Sequence, residues 1–248
     1  MARKRTLARQ LHALLDRIAQ QRDPVLAGEP DALHQLRIAL RGWRTLLPLI
    51  LKRKETDLAL LTAWRTLTRL TGPARDAEVQ LQQLPPDHPA RATIAAQCAA
   101  GYAEVHTALT SVDWPVLMAA SRAWLDNRLA ERKRSALRSR IRRRADKLGH
   151  RLDADLSAPR DAEHWHALRI DVKRLRYLIE HAGSWLPKRQ RKLYSTLKTA
   201  QADLGELHDF DVQLAAGWRD DPTPRAALLA SAEASAKALG IKFARLAR

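Results

Sequence analysis

The sequence has one cysteine, few aromatic residues and no long apolar run. Because Cys98 stands alone, the chain can form no internal disulfide and has no cysteine cluster for zinc. No stretch of about 18 apolar residues occurs, so no transmembrane helix is predicted. The basic start, MARKRTLARQL, lacks the apolar run of a signal peptide. We therefore expect a cytoplasmic protein with no membrane partner.

Motifs of several enzyme classes are also missing. The sequence contains no G-x-S-x-G nucleophile motif, no G-x-x-x-x-G-K phosphate loop and no H-E-x-x-H zinc motif. His164 and His166 would point to different faces of a helix, which makes them a poor ligand pair. We expect no cofactor, no resident metal and no catalytic residue.

Positive charge and helix-forming residues are abundant instead. Lys and Arg number 44 against 27 Asp and Glu, which gives a net charge of +17 and a pI of about 10.9. Such a field predicts a polyanionic partner. Ala, Leu and Arg dominate while β-branched residues are sparse, so the sequence predicts an all-α fold.

A row of basic residues recurs at helical spacing in 166–180, HALRIDVKRLRYLIE. Steps of three, four and three return to one face of a helix. An apolar stripe, offset by one residue, lies beside this row and can enter a core. The row, called here the second basic row, is His166, Arg169, Lys173 and Arg176. The stripe is Leu168, Val172, Leu175 and Ile179.

The same pattern occurs 132 positions earlier, in 34–47. The first basic row is His34, Arg37, Arg41 and Arg44, beside Leu36, Leu40, Trp43 and Leu47. The segments 70–79 and 203–212 also match, at an offset of 133 that pairs Arg65 with Lys198. We infer an internal duplication within one domain, 1–248. Its first helical half is 1–112, and 113–248 is a linker plus the second half.

Proline and glycine predict where helices end. We expect Pro48 to kink or break the helix of the first row, and Gly72-Pro73 to stop a helix of 55–71. The other expected elements are one basic amphipathic helix at 128–151, a helix from Lys188 toward Gly205, and loops at Asp153–Asp161 and Asp220–Pro224.

Four carboxylates and the row histidines allow alternative interpretations. Asp76, Glu78, Asp209 and Asp211 could chelate magnesium if they were brought together. Asp76 and Asp209 could instead cap short helices or pair with the arginine rows. His34 and His166 each begin a row, where we favour anion contact over a buried hydrogen-bonding role. Cys98 is expected in the core.

A chain of phosphates fits the rows better than nucleic acid does. Arginine forks bind phosphate oxygens bidentately, and lysine binds as a point charge. The rows lack the Asn and Gln that often read base edges. Aromatic residues, the usual stacking platforms for single strands, are 5% of the chain. Nucleic acid is therefore the less favoured partner.

Four segments together resemble the CHAD domain, the conserved histidine α-helical domain. They are HQLRIALRGWR (34–44), GPARDAEV (72–79), HALRIDVKRLRYLIE (166–180) and LKTAQADLGELHDFDV (197–212). The resemblance implies an all-helical fold of two similar bundles packed about a basic central cavity. It also implies binding of inorganic polyphosphate and association with polyphosphate granules, without enzymatic activity.

Residues matching the family pattern are the expected polyphosphate ligands. They are His34, Arg37, Arg41, Arg44, Arg65, Arg75, His166, Arg169, Lys173, Arg176 and Lys198. The second half has His208 where the first has Arg75, so contact by His208 stays open, as does the ligand-facing share of 128–151. The rivals are a metal-dependent polyphosphate or triphosphate hydrolase using the four carboxylates, and a nucleic-acid-binding module.

Overall fold

Helices make up 87% of the residues described in a computed structural model, which confirms the all-α prediction. The structure describes residues 2–51, 54–157, 161–219 and 221–247, and these include no strand. The helices are α1 (Ala2–Gln20), α2 (Arg22–Leu26), α3 (Ala32–Ile50), α4 (Glu55–Gln83), α5 (Arg91–Thr110), α6 (Asp113–Glu131), α7 (Arg134–Ser157), α8 (Ala162–Ala182), α9 (Lys188–Arg191), α10 (Tyr194–Ala215) and α11 (Pro224–Ala247). A 3-10 turn, Gly183–Trp185, follows α8. None of the described helices is long and apolar enough to cross a bilayer.

The first compact unit covers Met1–Arg134. In it, α3 packs against α1 and α4, α4 packs against α5, and α6 packs against α1. Because α6 packs on α1, α6 lies in the first unit. The division of the chain drawn from the sequence, with 113–248 as a linker plus the second half, stays a prediction.

The second compact unit covers Ser135–Arg248. Its central helix is α10, which packs against both α8 and α11. In the first unit α4 likewise packs against both α3 and α5. Each basic row therefore lies on the helix that precedes a central helix, in the same packing order. Duplication and the central cavity stay predictions.

The apolar stripes beside both rows form core, as their spacing predicts. Leu36, Leu40, Trp43 and Leu47 are fully buried, and Leu168, Val172, Leu175 and Ile179 are at most 5% exposed. Trp43 meets Trp64 of α4 edge to face, with ring centroids 5.6 Å apart. The Trp64 Nε1 donates a hydrogen bond of 3.0 Å to Ser121 Oγ of α6. These interactions fix the face that α3 turns away from the core.

The helix α4 continues through Gly72-Pro73, so the predicted stop at this position is wrong. Pro73 lacks an N–H and costs one helical hydrogen bond. Close packing against α5 offsets that cost: Ala74 is fully buried, and a Cβ added to Gly101 would lie 2.7 Å from its backbone nitrogen. Pro48 also lies inside a helix without breaking it, two residues before α3 ends.

The basic stretch 128–151 is split between two helices, contrary to the single helix predicted. Arg128 lies near the end of α6 and pairs with the fully buried Asp57 of α4, its Nη2 donating to Oδ1 at 2.8 Å. Trp124 Nε1 donates to the same oxygen at 2.7 Å. Arg132 donates to the carbonyl oxygens of Ile50 and Leu51. The first arginines of the stretch therefore hold the bundle together.

The helix expected from Lys188 to Gly205 is likewise two helices, α9 and α10, and α10 runs past Gly205 to Ala215. A turn at 192–193 separates them. The first predicted loop, Asp153–Asp161, is helical up to Ser157, where α7 ends. Residues 158–160 of this loop and Asp220 of the other lie outside the described residues.

The close approach of α4 and α5 is tested by Gly101→Ala. Alanine is the better helix former by about 1 kcal/mol, but its Cβ would press on the α4 backbone. We expect a net loss of about 1–3 kcal/mol in the free energy of unfolding, measured by urea denaturation. Gly240→Ala is the control, since nothing lies within 4 Å of the added Cβ; it should be neutral or stabilising. Equal effects of both changes would contradict the packing described.

The buried Asp57–Arg128 pair predicts an asymmetric response to mutation. Asp57→Ala leaves a guanidinium that is 8% exposed without its main counter-charge, so we expect a loss of about 3–5 kcal/mol in unfolding free energy. Asp57→Leu/Arg128→Met should recover most of it. The control is Asp16→Ala, which breaks the half-exposed pair with Arg122 and should cost less than about 1 kcal/mol. Similar losses for both single variants would contradict this account.

Candidate functional site

The first basic row borders the second half of α4. Arg37 Nη1 donates to Thr71 Oγ1 at 2.9 Å, and the Thr71 hydroxyl donates to the Thr68 carbonyl at 2.8 Å. Thr71 is fully buried, so its hydroxyl orientation is set and its lone pair faces Arg37. The same Nη1 lies 3.8 Å from where a Cβ on Gly72 would be. A small residue here lets the guanidinium lie against the helix.

Arg75 joins this row from α4. Its Nη1 lies 2.7 Å from Glu78 Oε2, and the two side chains are 15% and 20% exposed. Tyr102 of α5 donates its hydroxyl to Glu78 Oε1 at 3.2 Å. Burial, followed by Glu78, raises the pKa of Tyr102 to about 12, so the phenol stays a donor at neutral pH. The Glu78 carboxylate is thus held by two partners.

Positive charge is crowded around His34 and Arg37. Burial lowers the pKa of His34, and the Arg75 and Arg41 charges lower it further. Burial also lowers the pKa of Arg37, with Arg41 and Arg75 adding to the effect and Asp76 opposing it. Each cation here destabilises the charged form of its neighbours, so an incoming anion would stabilise all of them.

The second unit places His208 of α10 where the first places Arg75. The rings of His166 and His208 have centroids 5.3 Å apart. Burial lowers the pKa of His208, and the charges of Arg169 and His166 lower it further, while Asp209 opposes them. His208, left open in the sequence analysis, therefore lies in the same cluster as the second row.

Arg176, the last member of the second row, is held by two side chains of its own unit. Its Nε donates to Gln201 Oε1 at 2.6 Å, and its Nη1 lies 3.2 Å from Glu180 Oε2. The side chain is 11% exposed, whereas Arg44 is exposed. Arg176 connects α8 to α10, and the basic surface available to a ligand is smaller at this end of the second row.

Arg65 and Lys198 are exposed residues of α4 and α10. Each lies seven positions before a glycine, Gly72 or Gly205, and so shares that glycine's helical face. Gly72 lies against Arg37, so register places Arg65 on the face of α4 that continues toward the first row. The position of Lys198 toward the second row stays a prediction. Arg41 and Lys173, the middle members of the rows, are half-buried.

The four carboxylates lie inside long helices, so the prediction that Asp76 and Asp209 cap short helices is wrong. Glu78 pairs with Arg75, and Asp211 pairs with Arg225 of α11 through Nε at 2.7 Å. In the described residues, no group of three or more His, Cys, Asp or Glu side chains lies close enough together to hold a metal ion. Cys98 is half-buried rather than fully in the core.

A family model and a solved structure match most of the chain. The CHAD domain model matches residues 9–217. The chain belongs to the CHAD domain family. Its fold is similar to a crystal structure of the CHAD domain from the plant Ricinus communis, with a TM-score of 0.72 and 22% identity over 97% of this chain and 91% of that one. No curated protein sequence matches this CHAD chain.

The sequence analysis missed several residues that shape the candidate site of this CHAD domain. Thr71 orients Arg37, Tyr102 and Arg225 hold the carboxylates of Glu78 and Asp211, and Gln201 holds Arg176. Tyr102 and Arg225 come from α5 and α11, whose alanine-rich sequences carry no motif. The repeat marks only residues that occur in both halves, and these partners differ between the halves.

The lowered pKa values of His34 and His208 predict a pH-dependent stability without any ligand. Their folded pKa lies below the unfolded value of 6.5, so on acidification the unfolded chain gains protons before the folded one does, and stability falls as pH drops below that value. His34→Gln/His208→Gln removes this linkage. The unfolding free energy of the variant minus that of wild type, measured by urea denaturation, should therefore increase as the pH is lowered from 8 to 5.5. The difference at pH 8 reports packing alone; a difference that does not change with pH would contradict the assignment.

Proposed function

We propose that this CHAD protein binds inorganic polyphosphate through its two basic rows, without catalysing a reaction. The observation that carries the proposal is the paired clustering of cationic groups on α3 with α4 and on α8 with α10. Each cluster joins a row histidine and arginine to a further basic side chain, Arg75 or His208. Cationic groups repel one another in both clusters, and a polyanion is the ligand that relieves this repulsion.

The preformed geometry favours phosphate oxygens. Arg37 is oriented by a buried hydroxyl before any ligand arrives, so less conformational entropy is lost on binding. Half-buried guanidinium groups also interact more strongly with an anion than fully solvated ones. The large aromatic side chains of α3 and α4, Trp43 and Trp64, are in the core and offer no platform for stacking a base.

The carboxylate contacts support a binding protein over a hydrolase. Glu78 is engaged by Arg75 and Tyr102, and Asp211 is engaged by Arg225. A carboxylate with such partners neutralises part of the local charge and positions arginines. We further propose that polyphosphate binding brings the protein to polyphosphate granules.

Arg37→Gln/Arg169→Gln tests this function by removing one arginine from each row. Removing each charge-assisted hydrogen bond to phosphate should weaken binding by about tenfold or more, measured with long-chain polyphosphate by isothermal titration calorimetry. The negative slope of log affinity against log salt concentration should also become shallower, because fewer phosphates are neutralised. Circular dichroism checks that the variant is still helical.

Arg17→Gln/Arg245→Gln is the matched control, with the same charge change at exposed positions of α1 and α11. It should keep the affinity within about threefold of wild type. Equal losses in both variants would mean that the charge acts generically. Displacement of polyphosphate by DNA or RNA at equal phosphate concentration would favour the nucleic-acid module, and metal-dependent phosphate release would favour the hydrolase.

A further inference from the structure

A buried carboxylate lies on the side of α8 opposite the second basic row. Asp171 is 1% exposed, and it lies two residues from both Arg169 and Lys173, a rotation of about 200°. Arg174 Nη1 donates to its Oδ1 at 2.9 Å. Arg151 of α7 approaches its Oδ2, with Nε at 2.9 Å, as an ion pair without an aligned hydrogen bond. The Asp171 carboxylate therefore pairs with one guanidinium group from α7 and one from α8.

A third arginine stands beside them. Arg144 lies two turns before Arg151 on the same face of α7. Burial lowers its pKa, and the charges of Arg174 and Arg151 lower it further, while Asp171 opposes them. Asp155, one turn after Arg151, is the other carboxylate nearby; its pKa is raised by burial and then by Asp171. Three guanidinium groups therefore face two carboxylates, and one of these is easier to protonate than usual.

The buried pair in the first unit shows that charge neutralisation does not require this arrangement. Asp57 is satisfied by Arg128, whose side chain is 8% exposed, and by Trp124. At Asp171, in contrast, the side chains of Arg151 and Arg174 are 53% and 47% exposed. Their ion pairs use Nε of Arg151 and Nη1 of Arg174, so the outer parts of both forks face solvent with donors in place.

The cluster does not belong to the repeated rows. At the repeat offset, Asp171 corresponds to Ala39 and Arg174 to Gly42. The first unit therefore has no equivalent carboxylate and no equivalent arginine at these positions. A role shared with the rows does not account for it.

We propose that Arg144, Arg151 and Arg174 form a second anion site, which takes one compact phosphate group or a pyrophosphate. Asp171 acts as the positioning residue, holding Arg151 and Arg174 from beneath while their outer donors bind the phosphate oxygens. This site is independent of the two rows, and it is short: it spans one or two phosphates rather than a chain.

The test uses the full-length protein with the rows weakened, Arg37→Gln/Arg169→Gln, and inorganic pyrophosphate as the probe. We expect saturable binding of one pyrophosphate by calorimetry in this background. Adding Arg144→Gln/Arg174→Gln should weaken it by about tenfold or more. This variant keeps the Arg151 pair with Asp171. Adding Arg138→Gln/Arg143→Gln instead removes the same charge from exposed positions of α7 and should change the affinity by less than about threefold.

Absence of saturable binding in the weakened-row background, or equal losses in both variants, would overturn the second site and leave the row proposal standing. Arg144→Gln alone controls for misfolding of the double variant, because it removes no ion pair to Asp171. Unchanged pyrophosphate affinity in this single variant would exclude Arg144 from the site and overturn the three-arginine proposal.

Discussion

Repulsion between like charges beside a packed core is the constraint on which the rest of the site depends. Apolar stripes on α3 and α8 must be buried, and the basic rows one residue away are then brought against α4 and α10. Water cannot fully solvate all of the cations that lie this close to the core, so their charged forms are destabilised. Neutral side chains hold some of these cations in place without neutralising their charge, such as Thr71 for Arg37 and Gln201 for Arg176.

The carboxylates follow from the same constraint. Asp76 lies close enough to Arg37 to favour its charged form, and Asp209 does the same for His208. One position in each unit needs a further partner from the next helix: Tyr102 of α5 reaches Glu78, and Arg225 of α11 reaches Asp211. The acidic side chains thus hold the cations in place. The partner from α5 or α11 determines how much of the carboxylate's negative charge acts on the basic row.

Sequence periodicity predicted the rows and their apolar neighbours because burial of α3 and α8 depends on local spacing alone. It failed at Gly72-Pro73, where the intrinsic cost of proline was weighed without the α5 contact at Gly101 that offsets it. It also placed the arginines of 128–151 on a single amphipathic helix. Arg128 belongs to the core because Asp57, seventy-one positions away, is buried and requires a counter-charge. Such long-range pairings leave no periodic signal in a single sequence.

The difference between Arg75 and His208 gives the two rows different electrostatics. Arginine stays charged at every physiological pH, so Arg75 keeps its charge before a ligand arrives, although His34 in the same cluster has a lowered pKa. In the second, His208 beside Arg169 has a lowered pKa and loses its proton easily. A phosphate nearby would raise that pKa, so anion binding at His208 would be coupled to proton uptake, which anion binding at Arg75 would not require. The same position in the two units can in this way carry a fixed charge in one unit and a charge that depends on the ligand in the other.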